Sequence, residues 1–197
     1  ELATKPPFFT SPLPVIDPLA QSGQEHIHQN PQVKPQVTSV AARIFGGADD
    51  AEEKQNGELS LNSPTLELGQ VGSKGRTVGL RFAKLAIPAG ATILDAYVQF
   101  YAARSQSEAT TLIIRGDAAD DAAGFERSRF NLTRRTLTAS AATWSNVPAW
   151  KAGEPQWSAS VAPVVQEIVA RPGWATGNDL ALLVTGTGSR TAIAYDG

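Results

Sequence analysis

The sequence predicts an all-β fold: an antiparallel, jelly-roll-like β-sandwich with one short helix, preceded by an extended N-terminal arm. Three observations carry this. Apolar and polar residues alternate with a period of two in several short runs rich in β-branched residues. Gly, Pro, Asn and Asp clusters punctuate those runs at short intervals. Only one stretch, residues 158–174, spaces its apolar residues for a helix.

Composition sets the outer limits. Of 197 residues, 42% are hydrophobic and 18% charged, a globular balance. The net charge of -2 gives no reason for attraction to nucleic acid or to an anionic membrane. No apolar run approaches the roughly 20 residues of a membrane helix. With no Cys, disulfides and thiol chemistry are excluded. The chain opens on Glu1 and has no Met, which reads as a processed chain or a fragment; removal of a secretory signal peptide would account for it, and the expected location is outside the cell or on its surface.

The elements follow in order. Residues 1–36 are Pro-rich, have no helical period and are expected to form an arm distinct from a sandwich domain at 37–197. "VTSVAARIF" (37–45) reads as the first domain strand, with Val40, Ala42 and Ile44 on one face. "GGADDAEEKQNG" (46–57) reads as a polar loop, and "ELSLNSPTLELG" as strand pieces around Pro64. Val78, Leu80 and Phe82 alternate with Gly79, Arg81 and Ala83. A long strand follows the turn at Pro88, with Ala96, Val98 and Phe100 on one face and Tyr97, Gln99 and Tyr101 on the other. "ATTLIIRGDAAD" and the Thr-rich "RRTLTASAATW" supply two more strands. In "SASVAPVVQEIVARPGW" the set Val161, Val164, Val165, Ile168 and Val169 marks a helix over residues 163–170. Ser160 is its expected cap, Pro163 lies in its first turn, and Arg171-Pro172-Gly173 ends it. Residues 180–184 and 191–195, joined through Gly186-Thr187-Gly188, complete the sheets.

Several of these stretches together resemble one bacterial extracellular family: "TVGLRFAKLAIPAGATILDAYVQF", "VVQEIVARPGWATGNDLALLVTGTG", "RTAIAYDG" and the acidic "GADDAEE". The chain from about Val37 to Gly197 is similar to the DNRLRE-type, carbohydrate-binding-module-96-like domains appended to secreted enzymes and surface proteins. The resemblance implies a jelly-roll-like sandwich, secretion, and a binding or structural role, which in some members is attachment to acidic polysaccharide. It also implies one more strand after Tyr195-Asp196-Gly197, and it does not include residues 1–36. The expectation is therefore a sandwich with an open sheet edge, carried by a chain with a surplus arm.

The arm has the pattern of a donor strand. Pro12, Pro14 and Pro18 all occupy even positions, so the missing N–H groups fall on one edge. Odd residues keep their donors, and Phe9, Leu13, Val15 and Leu19 share a face that can be buried. Strand addition to an open edge is a known mode of association. Head-to-tail donation that does not close into a ring yields a filament. The function expected first is an extracellular structural subunit, not an enzyme, whose partners are other copies of itself.

A carbohydrate-binding module attaching to polysaccharide is the alternative, with Trp157, Tyr97 and Tyr101 as the sugar-contacting aromatics. Trp144, Trp150 and Trp174 are expected to pack inside. Asp49, Asp50, Glu52 and Asp196 are candidate oxygen ligands for a structural calcium, weighed against an ordinary solvated acidic turn. His26 and His28 lie in the arm without a third ligand in reach. No Ser/His/Asp order, Gly-x-Ser-x-Gly motif or phosphate-binding loop occurs. No cofactor is required by any of these readings.

Overall fold

The computed structural model describes residues 9–13 and 36–197, with side chains from Val37 onward. It is an all-β fold of antiparallel sheets with one short helix. Strand β1 (Phe9–Leu13) pairs with β2 (Gln36–Val40) in a two-stranded ladder of their own. The main sheet is built from β3 (Asp50–Lys54), β4 (Leu59–Ser60), β6 (Lys74–Phe82), β8 (Thr111–Gly116), β9 (Ala142–Trp144) and β11 (Leu180–Thr187), in the order β4-β3-β6-β11-β8-β9. Facing it lie β5 (Thr65–Val71) with β12 (Ser189–Ile193), and β7 (Gln99–Tyr101) with β10 (Pro155–Trp157). β5 hands over to β6 through a tight hairpin at Gln70–Gly75 and Val71–Lys74, so the chain turns the corner between layers there.

Period-two burial decides which residues face inward. Leu66 and Leu68 of β5, Val78, Leu80 and Phe82 of β6, Leu112 and Ile114 of β8, and Leu180, Leu182 and Val184 of β11 form one core with Val98 and Phe100 of β7. The single helix, α1 (Ala162–Val169), closes one end by burying Val164, Val165, Ile168 and Val169. It approaches the sheet where β8 ends in a residue without a side chain: a Cβ on Gly116 would stand 2.5 Å from Ile168 Cδ1. Trp144, Trp150 and Trp174 are buried, as expected, and Trp174 donates its indole N–H to the Ile87 carbonyl at 3.0 Å. A second, smaller cluster (Ala51, Phe125, Leu132, Leu183 and neighbours) lies under the loops on the outer face of the main sheet.

Four expectations needed correction. Residues 46–57 are not simply a loop, because Asp50–Lys54 is a buried strand between β4 and β6. Its carboxylates are buried because donors meet them. Glu52 receives Arg76 Nε and the Glu67 N–H, both at 2.9 Å. Glu53 receives the Leu132 N–H at 2.8 Å and the Thr133 hydroxyl at 2.6 Å. The Thr-rich stretch 134–144 forms a strand only over Ala142–Trp144, since residues 130–135 turn back to satisfy Glu53. The long strand after Pro88 is a ladder only over Gln99–Tyr101. The helix begins after Val161, which has no side chain able to cap it; Ser160, one residue earlier, donates its hydroxyl to Asp95 at 2.9 Å and accepts the Ala162 N–H at 3.4 Å.

Arg190 on β12 is the largest fully buried side chain. Among the described residues it forms no salt bridge with a carboxylate. Its guanidinium donates to the Thr110 hydroxyl (2.8 Å) and to the carbonyls of Ser189 (2.7 Å), Glu108 (2.9 Å), Val147 (2.9 Å) and Pro148 (3.1 Å). One side chain thereby pins two loops to the end of the sandwich. Arg190→Leu would strand several buried carbonyls, each worth about 1–3 kcal/mol when unsatisfied. We expect a destabilisation of about 3 kcal/mol or more in chemical denaturation; a change under about 1 kcal/mol would show that water replaces the guanidinium.

Candidate strand-accepting groove

β7 has two edges, and among the described residues only one is filled. Val98, Phe100 and Ala102 direct their main-chain groups to the β10 side, where Ser158 N–H meets the Val98 carbonyl and Ala102 N–H meets Glu154. The alternation of a strand then turns Gln99 and Tyr101 to the other edge. There β7 meets β12 through a single bridge, Ala102 to Ala192, supported by Ala103 N–H on the Thr191 carbonyl. Beyond that bridge the two strands part, and towards Gln99 the edge of β7 has no strand partner among the described residues.

A groove of about 290 Å³ opens at this point. Its floor is the core itself: Leu66, Leu80, Phe82, Phe100 and Ala194. Along one side run Ala42, Arg43 and Ile44. Residues 41–45 continue β2, and their burial alternates, with Val40, Ala42 and Ile44 packed against the core as the sequence pattern predicts. Yet they belong to no ladder. A second apolar cleft, about 500 Å³, lies on the other flank of this segment, against Ala83, Leu85 and Ala86. Large apolar side chains crowd the groove rim, where Tyr101, Ile193 and Tyr195 are 50%, 43% and 51% exposed, and Phe45 at the second cleft is 60% exposed. An unpaired sheet edge beside a concave apolar floor is the shape that an extended segment fills.

Asp50 lies at the wall of the groove and is only 3% exposed. It accepts the Tyr195 N–H at 2.8 Å. Burial raises its pKa; the Tyr195 N–H acts the other way, and the charges of Asp196 and Asp49 add to the rise. The four residues expected to bind calcium do not converge on one point. Asp49 is ion-paired with Arg81, which also pairs with Asp179. Glu52 is committed to Arg76, Asp50 to Tyr195, and Asp196 is exposed. Among the described residues no group of three or more metal-ligating side chains is assembled.

The other sequence-predicted residues are placed as follows. Tyr97 and Trp157 meet edge to face, ring centroids 6.5 Å apart, and Tyr97 donates its hydroxyl to Asp95 at 2.6 Å. Tyr101 stands apart from that pair, at the groove rim. Of the assembly residues, Phe9 and Leu13 fall in β1, while Val15 and Leu19 lie outside the described residues, as do His26 and His28. The groove-lining Leu66, Leu80, Phe82 and Ala194 were legible only as core, because their strands predict burial and not the gap above them. No family model matches the chain, and no curated protein is detectably similar to it.

The raised pKa of Asp50 has a stability consequence. The folded state holds this proton more tightly than the unfolded chain does. The charged form therefore costs stability above the folded pKa, and stability rises as pH falls from that value to the ordinary carboxylate range. Asp50→Asn keeps an acceptor for the Tyr195 N–H without the charge. We expect it to raise the melting temperature at neutral pH, with the gain shrinking in acid. A variant destabilised at neutral pH would show that the carboxylate charge is compensated.

Proposed function

We propose that the protein is a structural subunit that self-assembles by strand donation: the arm of one copy enters the groove of the next. The observation that carries the reading is the unfilled edge of β7 above an apolar floor. The arm suits it. A segment entering the groove needs apolar residues at alternate positions, which Phe9, Leu13, Val15 and Leu19 supply. Each such side chain contributes about 1.5–3 kcal/mol on burial. The prolines of the even edge limit pairing to one side, which prevents further strands from adding.

The arm is poorly placed to fill its own groove by extending the ladder it already makes. β1 pairs with β2 so that Phe9 stands opposite Val40. Carrying that register into residues 41–45 would set Pro7 opposite Ala42 and Pro6 opposite Arg43. Two adjacent prolines remove a donor from both edges at once, so a ladder cannot run through them. The connector at residues 21–36 spans about 50 Å when extended, enough to reach a neighbour. Repeated head-to-tail donation gives a filament unless a ring closes. Such a filament belongs outside the cell, as the resemblance implies.

A second reading is favoured by the Tyr97–Trp157 pair with Asp95 beside it, an aromatic and carboxylate combination able to hold a sugar ring. Affinity electrophoresis against acidic and neutral polysaccharides tests it, and unretarded migration in all of them would remove it.

The decisive experiment for strand donation uses the arm as a reagent. A chain lacking residues 1–20 should remain monomeric in size-exclusion chromatography and show no filaments by electron microscopy. A peptide of residues 9–20 should then bind it. Replacing Leu13 or Val15 by Lys in that peptide should weaken binding about tenfold or more, the worth of one buried aliphatic side chain. Unchanged assembly of the truncated chain would overturn the proposal.

A further inference from the structure

We propose that the β1–β2 ladder is a latch: it holds the arm of an unassembled subunit on its own chain, and it must open before the arm can be donated. The inference rests on the strand-donation reading of the groove.

The argument is one of edges. In β1, Phe9 stands opposite Val40, Ser11 opposite Thr38 and Leu13 opposite Gln36, with Pro12 opposite Val37. Pro12 has no N–H, so the donors of this strand come from the odd residues, and the ladder uses the edge that carries them. The arm has no second edge to offer. Pro12 and Pro14 have removed consecutive donors from the even side. Residues 9–13 therefore cannot pair with β2 and with the open edge of β7 through the same N–H groups. The two pairings exclude one another.

The ladder is also built to open. Among the described residues it joins no other sheet. Val37 is 53% exposed, and of the β2 residues only Val40, at the ladder's end, packs against the core. An isolated two-stranded ladder is marginally stable in water. The groove offers main-chain partners on the Gln99 side of β7 plus an apolar floor, so exchange runs towards the assembled state once the latch has opened. Assembly is then a strand exchange with a barrier, and a subunit at low concentration keeps its arm to itself.

The test uses the full chain, which has no Cys of its own. Thr10 and Ser39 are directly opposed across the ladder. In the register above they form a non-hydrogen-bonded pair, the kind whose side chains approach most closely. In the double variant Thr10→Cys, Ser39→Cys, oxidation locks the latch and reduction frees it. We expect the oxidised protein to stay monomeric by analytical ultracentrifugation, and the same sample to assemble like the unmodified chain after addition of reductant. Its melting temperature before reduction reports that the domain is intact. If the oxidised protein assembles as fast as the reduced one, the latch is wrong while strand donation stands, carried by residues beyond Leu13. If neither the reduced variant nor the unmodified chain assembles and the arm peptide fails to bind, strand donation itself falls, and the latch with it.

Discussion

A main-chain N–H or carbonyl buried without a partner costs as much as a lost hydrogen bond, and the organisation of this protein follows from where it leaves such groups exposed and where it does not. Along most of the molecule every strand edge is used or ends quickly. β6 pairs with β3 on one side and β11 on the other, and β11 passes the ladder on to β8 and β9. Among the described residues, the edge of β7 at Gln99 is one left without a strand partner, and it faces a groove over the core. An edge of this kind is a template for another chain, so it is either an aggregation hazard or a binding site. The apolar rim of Tyr101, Ile193 and Tyr195 is consistent with the second, because it would otherwise be a costly way to meet water.

The same accounting explains how the acidic strand β3 can be interior. Burying Glu52 and Glu53 without partners would be prohibitive. Each instead meets two donors from outside its own strand: Arg76 with the Glu67 N–H, and Thr133 with the Leu132 N–H. Glu53 thereby fastens the loop over the smaller core, while Glu52 ties β3 to β5 across the corner of the sandwich. Asp50 is the member of this strand with the least compensation, and it is the one at the groove. Arg190 shows the mirror image, a buried cation whose guanidinium hydrogen-bonds to main-chain carbonyls instead of forming a salt bridge.

The proposed donor strand and the proposed latch would be two uses of one property, the single competent edge that the even-numbered prolines leave to the arm. A segment with two good edges would pair on both sides and grow without limit. A segment with one edge makes one pairing at a time, which turns association into exchange. The stiffness of the domain supplies the other half: with Trp144, Trp150 and Phe100 stacked beneath β7, at centroid separations of 6.1 to 6.4 Å, the groove is a preformed surface.

By itself the sequence determined the class of fold and most of its inward faces. The alternation at Val78, Leu80 and Phe82, the Ala96, Val98 and Phe100 face, the helix at Val164 to Val169 and the proline parity of the arm are all local patterns, set by the two-residue and 3.6-residue periods of the backbone. Only the tertiary structure decided three other things. It made Asp50–Lys54 a strand, since a run of acids is buried only when distant residues bring donors to it. It ended β7 after three paired residues and left residues 41–45 outside any ladder. And it opened the groove, because a gap between strands is a property of how far apart two edges lie, and no single strand's pattern records the distance to its neighbour.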